Sequence, residues 1–336
     1  MARSSLFLLC ALLIASTPAP QPAPVDLLRD AMSAPAHISY VGEVAVQHFG
    51  QQHSDVDIYR IEHRAPDMTR RWYLAPQGLY GDSIVTRGST TYSIDVKHEQ
   101  VVVSNDEDTD QQVTQQGNFG VLLANYDAVL GPNETFDNRP VFVVLLNNKY
   151  TGQTTMRVLI DRGTHLMLLR QEFASNGSLI AETRVDQIRF TGAIPVDVFA
   201  IPSGLRRVND LARGTESSDV QHVISTAGFA ALEPKYLPPG FSPIAADVVT
   251  MKDVTTLHLL YSDGIRSVSF FQNEKDAAVD LSRYHAVATT VANHPGHYVQ
   301  DGATTLLAWS DGTRHFALVG DLSLSELEKI GASVLP

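Results

Sequence analysis

Apolar and polar positions alternate with a period of two from Ala36 to about Ile201. The runs ISYVGEVAVQHF (38–49), SDVDIYRIEHR (54–64), TRRWYLAP (69–76), DSIVTRG (82–88), TTYSIDV (90–96) and EQVVVSN (99–105) read as strands, divided by Gly, Asn, Asp or Pro. RPVFVVLLNN (139–148), TTMRVLIDRGTHLMLLRQEFA (154–174) and LIAETRVDQIRFTG (179–192) continue the pattern, with DRGTH and SNGS as turns. In the second run Val56, Ile58, Arg60 and Glu62 share one face. Asp57, Tyr59, Ile61 and His63 share the other. Both faces are mixed, which suits antiparallel strands with one solvated face and one facing a cavity. Two helices are expected here. VDLLRDAMS (25–33) puts Leu27, Leu28 and Ala31 on one face. In NFGVLLANYDAVLG (118–131), Val121, Leu122, Asn125 and Val129 fall near a 3.6 period, ended by Gly131-Pro132.

The period weakens over 201–223, where a domain boundary is expected. A second domain opens at PKYLPPGFSP (234–243). In it, VTTLHLLYSDGIRSVSFFQ and TTLLAWSDGTRHFALVGD each place Ser-Asp-Gly between alternating runs, 48 positions apart. Asp tolerates positive φ and Gly takes it freely, so both read as hairpin tips. A duplicated catalytic loop would need further proton-transfer or nucleophilic groups, and neither copy supplies them. Ser323-x-x-Glu326 is a capping box, with Leu322 and Leu327 as its hydrophobic staple. Leu324, Leu327, Ile330 and Val334 form the stripe of a last helix that should cover one face of the second sheet.

The 336 residues fit two domains, and 44% hydrophobic against 18% charged residues allows a sizeable core. The formal net charge of −12 disfavours a general nucleic-acid binder. MAR followed by LFLLCALLIA reads as an export signal with an apolar core of ten residues, and cleavage is expected between Ala15 and Ala23. Cys10, the single cysteine, lies inside that core and not after it, so no lipid anchor, disulfide or thiolate site is expected in the mature chain. TPAPQPAP (17–24) is an extended spacer. An exported, soluble protein of the periplasm or exterior is expected.

Little local chemistry stands out. His294 and His297 in HPGH read as turn histidines, two ligands being too few for zinc. Asp106, Asp108 and Asp110 begin a calcium-loop spacing, but Gln111 and Gly117 occupy the positions that need Gly and Glu. The stretch therefore reads as a solvated acidic loop. No nucleophile elbow, zinc-protease helix or phosphate loop is present, so a non-enzyme without cofactor or metal is expected. HRAPDMTRRWYLAP gathers Arg64, Arg70, Arg71, Trp72 and Tyr73. It is either a solvated cationic face or the rim of a site for an anionic head group, with aromatics against acyl chains. Tyr59 and Tyr92 join the candidate groove.

The run LLRDAM…YVGEVAV…DIYRIEHR…RRWYLAPQG…DSIVTRG…YSIDV resembles the first domain of the MucB/RseB family of periplasmic sigma-E regulators. Leu28, Ala31, Tyr40, Gly42, Ile61, His63, Arg71, Gly78 and Gly88 carry the likeness. Arg139, Pro140, Asp161, Leu168 and Gly177 extend it through the closing strands. YLPPGF, the two hairpins and VGDLSLSELEKIGASV resemble the family's second domain and other C-terminal domains of lipoprotein-carrier-like proteins. The resemblance implies a mainly β chain. Its first domain is a lipoprotein-carrier-like curved antiparallel sheet, an unclosed barrel with helices on its concave side, and the second is a smaller α+β domain. The expected division is signal 1–17, spacer 18–24, first domain 25–202, link 203–222 and second domain 223–336. The implied role is to bind the periplasmic part of a membrane anti-sigma factor, with release when lipid or lipoprotein components signal envelope stress. The link and the acidic loop at 104–116 have no counterpart in that pattern. Alternatives are a lipoprotein or lipid carrier using the same groove, or a structural module.

Overall fold

A computed structural model describes residues 21–335, apart from 51–53, 106–117, 210–215, 252–253, 275–280, 282–283 and 302–303. The export signal with Cys10, the start of the spacer, the acidic loop's aspartates and part of the link lie outside the described residues.

The first sheet follows the alternation. Its strands are β1 (Tyr40–Phe49), β2 (Ser54–Arg64), β3 (Met68–Ala75), β4 (Ser83–Arg87), β5 (Thr90–Asp95), β6 (Gln100–Ser104), β7 (Tyr126–Leu130), β8 (Glu134–Phe136), β9 (Arg139–Asn148), β10 (Thr154–Asp161), β11 (Met167–Phe173), β12 (Leu179–Phe190) and β13 (Arg206–Asn209). The order runs β13-β6-β5-β4-β3-β2-β1-β12-β11-β10-β9-β7, with β8 also on β9. β13 and β7 are not paired with each other, so the curved sheet stays unclosed. Among the described strands only β13 is parallel to its neighbour. It lies within the expected link, on the edge of β6.

Helix α1 (Pro24–Ser33) buries Leu27, Leu28 and Ala31 among Val144, Leu146, Val158 and Ile160. Helix α2 is shorter than its periodicity suggests. It spans Phe119–Asn125, and Tyr126–Leu130 is strand β7 against β9. β9 offers a free edge there, and ladder hydrogen bonds override the helical spacing that Val129 continued. Val129 is therefore an exposed edge-strand residue, not part of a helix face.

The second sheet is antiparallel throughout: β14 (Ser242–Met251), β15 (Val254–Ser262), β16 (Ser267–Asn273), β17 (Val287–Val291), β18 (His294–Asp301), β19 (Thr304–Ser310) and β20 (His315–Gly320), in the order β14-β15-β16-β20-β19-β18-β17. Helices α3 (Val220–Thr226) and α4 (Leu324–Val334) bury Val220, Val223, Leu327, Ile330 and Val334 against Leu257, Leu259, Phe270, Trp309 and Phe316. The Ser323 side chain caps α4 by accepting from the Glu326 amide, and Leu322 and Leu327 are buried as expected of a staple. The reciprocal half of the box is not made, because the Glu326 carboxylate takes the Tyr236 hydroxyl and Lys329 instead. HPGH is not a turn. The turn sits two residues earlier, at Ala292-Asn293 with φ of 47° and 69°, and His294 and His297 belong to β18. Two consecutive positive φ values match a tight hairpin, and Asn accepts that conformation more readily than His or Pro.

Candidate functional site

Cross-strand register decides which side chains meet. On one face of β1–β2–β3 the rows are Tyr40–His63–Thr69, Gly42–Ile61–Arg71 and Val44–Tyr59–Tyr73. This face is packed. Tyr40 lies against His63 (5.0 Å between rings), Tyr59 against Tyr73 (5.5 Å), and the Arg71 guanidinium lies 5.1 Å from the centre of the Tyr59 ring. His63 Nε2–H donates to the Pro35 carbonyl at 2.7 Å, and Nδ1 accepts from the Thr69 hydroxyl at 2.9 Å. That pairing satisfies the neutral ring, and burial holds its pKa below the ordinary histidine value. Five of the residues that carry the family resemblance, Tyr40, Gly42, Ile61, His63 and Arg71, thus form one interior patch.

The opposite face carries the rows Val41–Glu62–Arg70 and Glu43–Arg60–Trp72. Toward β4 it is covered by the segment after β12. Arg64 donates to the Ile194 carbonyl (3.2 Å), Arg70 to the Val198 carbonyl (3.4 Å) and Arg87 to the Phe199 carbonyl. Tyr92 packs beneath, with Val85, Ile94, Ile194 and Phe199. These arginines hold a strap in place. Toward β12 the face is open, and a cleft of about 1130 Å³ lies between it and the β8–β9 turn. Val41, Trp72, Leu74, Pro140 and Ile188 give the cleft apolar surface. Arg60, Arg139 and Arg189 line it together with Glu43 and Asp137. A smaller hollow of about 480 Å³ continues from it along Val41, Arg60 and Arg189 toward the strap. Arg139 is anchored 3.4 Å from Asp161 and lies over the Phe190 ring at 4.6 Å, while Arg60, paired with Glu62 at 3.1 Å, and Arg189 are exposed.

The seven residues expected to form one groove and rim do not converge. Tyr59, Arg71 and Tyr73 sit on the packed face. Arg64, Arg70 and Tyr92 bind or underlie the strap. Trp72 alone of the seven lines the cleft. The cause is the strand period: neighbours in sequence point to opposite faces, so the run of four from Arg70 to Tyr73 cannot make one surface. Arg60 was marked by the alternation as sharing a face with Glu62. Arg139 and Arg189 carry no local signal, because they stand on β9 and β12, separated by β10 and β11 in the sheet, and line one cleft only in the folded chain.

A second site joins the two sheets. The first Ser-Asp-Gly tip enters the first domain, and Ser262, Asp263 and Gly264 are all buried. The Tyr126 hydroxyl donates to the Asp263 carboxylate at 2.7 Å. The Asn125 amide donates to the carbonyls of Asp263 (3.0 Å) and Gly240 (2.8 Å), and Arg266 donates to the Phe173 carbonyl at 3.0 Å. Ile265 packs into the α1 cluster. The second tip stays outside, with Gly312 and Thr313 exposed. Both tripeptides are hairpin turns, as their chemistry indicates, and only one is also a docking element. Among the described residues no group of three or more His, Cys, Asp or Glu is placed to hold a metal ion.

Comparison with known proteins places this architecture. The solved structure of MucB in complex with MucA(peri) aligns with 94% of this chain and 99% of its own, with a TM-score of 0.62 and 18% identity. The Pseudomonas aeruginosa MucA/MucB complex aligns with 93% of this chain and 98% of its own, at 0.63 and 17%. MucB alone covers 92% and 96%, at 0.55 and 16%. Residues 231–334 match a family model described as a domain of unknown function (DUF4367). No curated protein matches the chain. The chain therefore has the fold of MucB across both sheets, and the resemblance read from its residues holds at the level of fold.

Proposed function

We propose that this protein is a non-enzymatic periplasmic regulator that binds the periplasmic segment of a membrane anti-sigma factor. The observation that carries the reading is the end-to-end likeness to MucB, whose solved structures include complexes with MucA(peri). A single shared sheet would fit many roles, whereas both sheets in one chain fit a two-domain clamp on a peptide. The expected export signal would deliver it to the compartment where such a segment is exposed. The cleft beside Trp72 supplies the second half of the proposal. An amphiphile from a stressed envelope would lay its apolar part on Trp72, Leu74 and Ile188, and its anionic group on Arg60 and Arg189. Release requires that ligand to prefer the free form, and tenfold release takes about 1.4 kcal/mol of coupling.

The carrier reading is weaker on one point. A stable acyl load needs several enclosed methylenes at about 0.8 kcal/mol each, and five of the cleft residues are ionisable. The test is calorimetry of the full mature chain with periplasmic segments of anti-sigma factors encoded beside its gene. Specific binding to one of them, weakened by an added anionic amphiphile, is the expected result. Arg189→Glu should abolish the amphiphile effect and leave peptide affinity unchanged. No binding to any such segment, with tight retention of acylated ligand, would overturn the regulator and leave the carrier.

A further inference from the structure

The ten residues WYLAPQGLYG, 72–81, contain no charge, in a chain of which 18% is Asp, Glu, Lys or Arg. They leave β3 and form the loop to β4. Within them Trp72, Leu74, Leu79 and Tyr80 are 41, 38, 36 and 63% exposed. Four large apolar side chains thus face solvent within nine positions, and Pro76, Gln77 and Gly78 between them are exposed too. Isolated exposed apolar residues need no explanation, but a contiguous set does.

The loop is closed by its own backbone hydrogen bonds. The Leu79 amide donates to the Pro76 carbonyl (3.0 Å), Tyr80 to Gln77 (3.4 Å) and Asp82 to Leu79 (3.0 Å). The Gly81 amide donates to the Tyr73 carbonyl (3.1 Å), and the Tyr73 amide to Asp82 (3.0 Å). These bonds fix the loop with Leu79 and Tyr80 outward, and they use backbone groups that a strand-adding peptide would need. What the loop offers is side chains: Leu, Tyr and Trp without charge. That mixture is favoured where water meets hydrocarbon, the rings lying at head-group depth. The adjoining cleft mouth carries three arginines beside Glu43 and Asp137: Arg189 is exposed, Arg60 is exposed with its guanidinium 3.1 Å from Glu62, and Arg139 is held 3.4 Å from Asp161. Arginine matches phosphate through its planar fork.

We infer that the Leu79–Tyr80 loop docks the open mouth of the cleft onto an anionic phospholipid bilayer surface. Two weak terms act together: shallow insertion of the apolar side chains and attraction of the exposed Arg189 and Arg60 to lipid phosphates. Such binding is reversible and screened by salt. It would present the cleft to the membrane while the second sheet stays in solution. The inference does not depend on the anti-sigma reading.

The test is flotation of the full mature chain with vesicles of equal parts phosphatidylglycerol and phosphatidylcholine, and with phosphatidylcholine alone. The protein should float with the anionic vesicles and less so at raised salt. Brominated phospholipid should quench Trp72, which is exposed, and spare Trp309, which is 4% exposed. Leu79→Ser with Tyr80→Ser should lower partitioning about tenfold. The same change at exposed Tyr284 should leave it unaltered. Melting curves would show that each variant is folded, since all three positions are on the surface. Absence of flotation with anionic vesicles, or unchanged flotation of the Leu79/Tyr80 double variant, would overturn the inference. So would a double variant that floats normally but loses an anti-sigma segment, which would mark the loop as a protein contact. Peptide binding, measured in parallel, keeps failure of this inference separate from failure of the regulator.

Discussion

The two Ser-Asp-Gly tips form an experiment within one molecule. Gly264 has φ of 98° and Gly312 of 94°. In each tip the serine hydroxyl accepts from the glycine amide (2.9 and 3.1 Å) and donates to an arginine carbonyl, that of Arg266 or Arg314 (2.9 and 2.7 Å). The aspartate carboxylate accepts from that arginine's amide at 2.7 Å in both. Alanine at either glycine meets the same backbone strain, about 1–3 kcal/mol. At Gly312 nothing lies within 4 Å of the new Cβ. At Gly264 it would fall 2.4 Å from the Leu122 nitrogen and 2.5 Å from Leu122 Cα. Those are backbone atoms of α2, so the tip must withdraw. Withdrawal breaks the Tyr126 and Asn125 bonds to Asp263, each about 1–3 kcal/mol when buried. Gly264→Ala should therefore cost at least about 2 kcal/mol more than Gly312→Ala, and the excess is interdomain docking. The assay is urea unfolding followed by tryptophan fluorescence. Trp72 reports the first sheet and Trp309 the second, and these are the two tryptophans of the chain. Trp72→Phe and Trp309→Phe backgrounds separate the signals. Gly312→Ala should shift the Trp309 transition modestly. Gly264→Ala should split the two transitions. Equal shifts from both alanines would refute the docking argument.

Two pH dependences of opposite sign follow, together with a mutational check on the junction. His63 is held neutral by burial, so the unfolded chain protonates near 6.5 while the folded one resists. The stability of the first sheet should fall as pH drops below about 6.5, and His63→Gln should flatten that slope in urea midpoints read by Trp72. At the domain junction, Glu172 is pushed above its ordinary value, chiefly by burial, with the nearby Asp321 adding to the rise and Arg170, Arg266 and His48 opposing it. The docked form thus binds more protons than separated domains would. Docking should strengthen as pH falls and weaken as pH rises through the shifted value. The split between Trp72 and Trp309 transitions should widen with pH, and Glu172→Gln should remove the trend. Tyr126→Phe should loosen the junction by about 1.5–3 kcal/mol, the worth of a bond to a charged acceptor. Faster hydrogen exchange in α2 would show it.

Strands, hairpin tips and the α4 cap were legible because each is specified within a few residues. Alternation selects the pleat, Asp-Gly selects the turn, and Ser323 offers its oxygen to an amide three positions on. The same locality explains the errors. Asn118–Gly131 has helical spacing, but the free edge of β9 claims its second half for a strand. HPGH contains turn residues, but Ala292-Asn293 turns the chain first. Arg64, Arg70, Arg71, Trp72 and Tyr73 look like one rim in the sequence and lie on two faces in the sheet. The cleft was not legible, since Arg60, Arg139 and Arg189 stand on three strands distant in sequence and line one hollow only in the folded sheet. The two Ser-Asp-Gly turns state the division most plainly. Their geometry was determined by the sequence, because serine, aspartate and glycine close the turn with bonds no longer than four residues. Which tip is buried was decided only by the tertiary structure. That choice rests on Leu122, Asn125 and Tyr126, more than a hundred positions from Asp263, and no local pattern encodes contact over such a span.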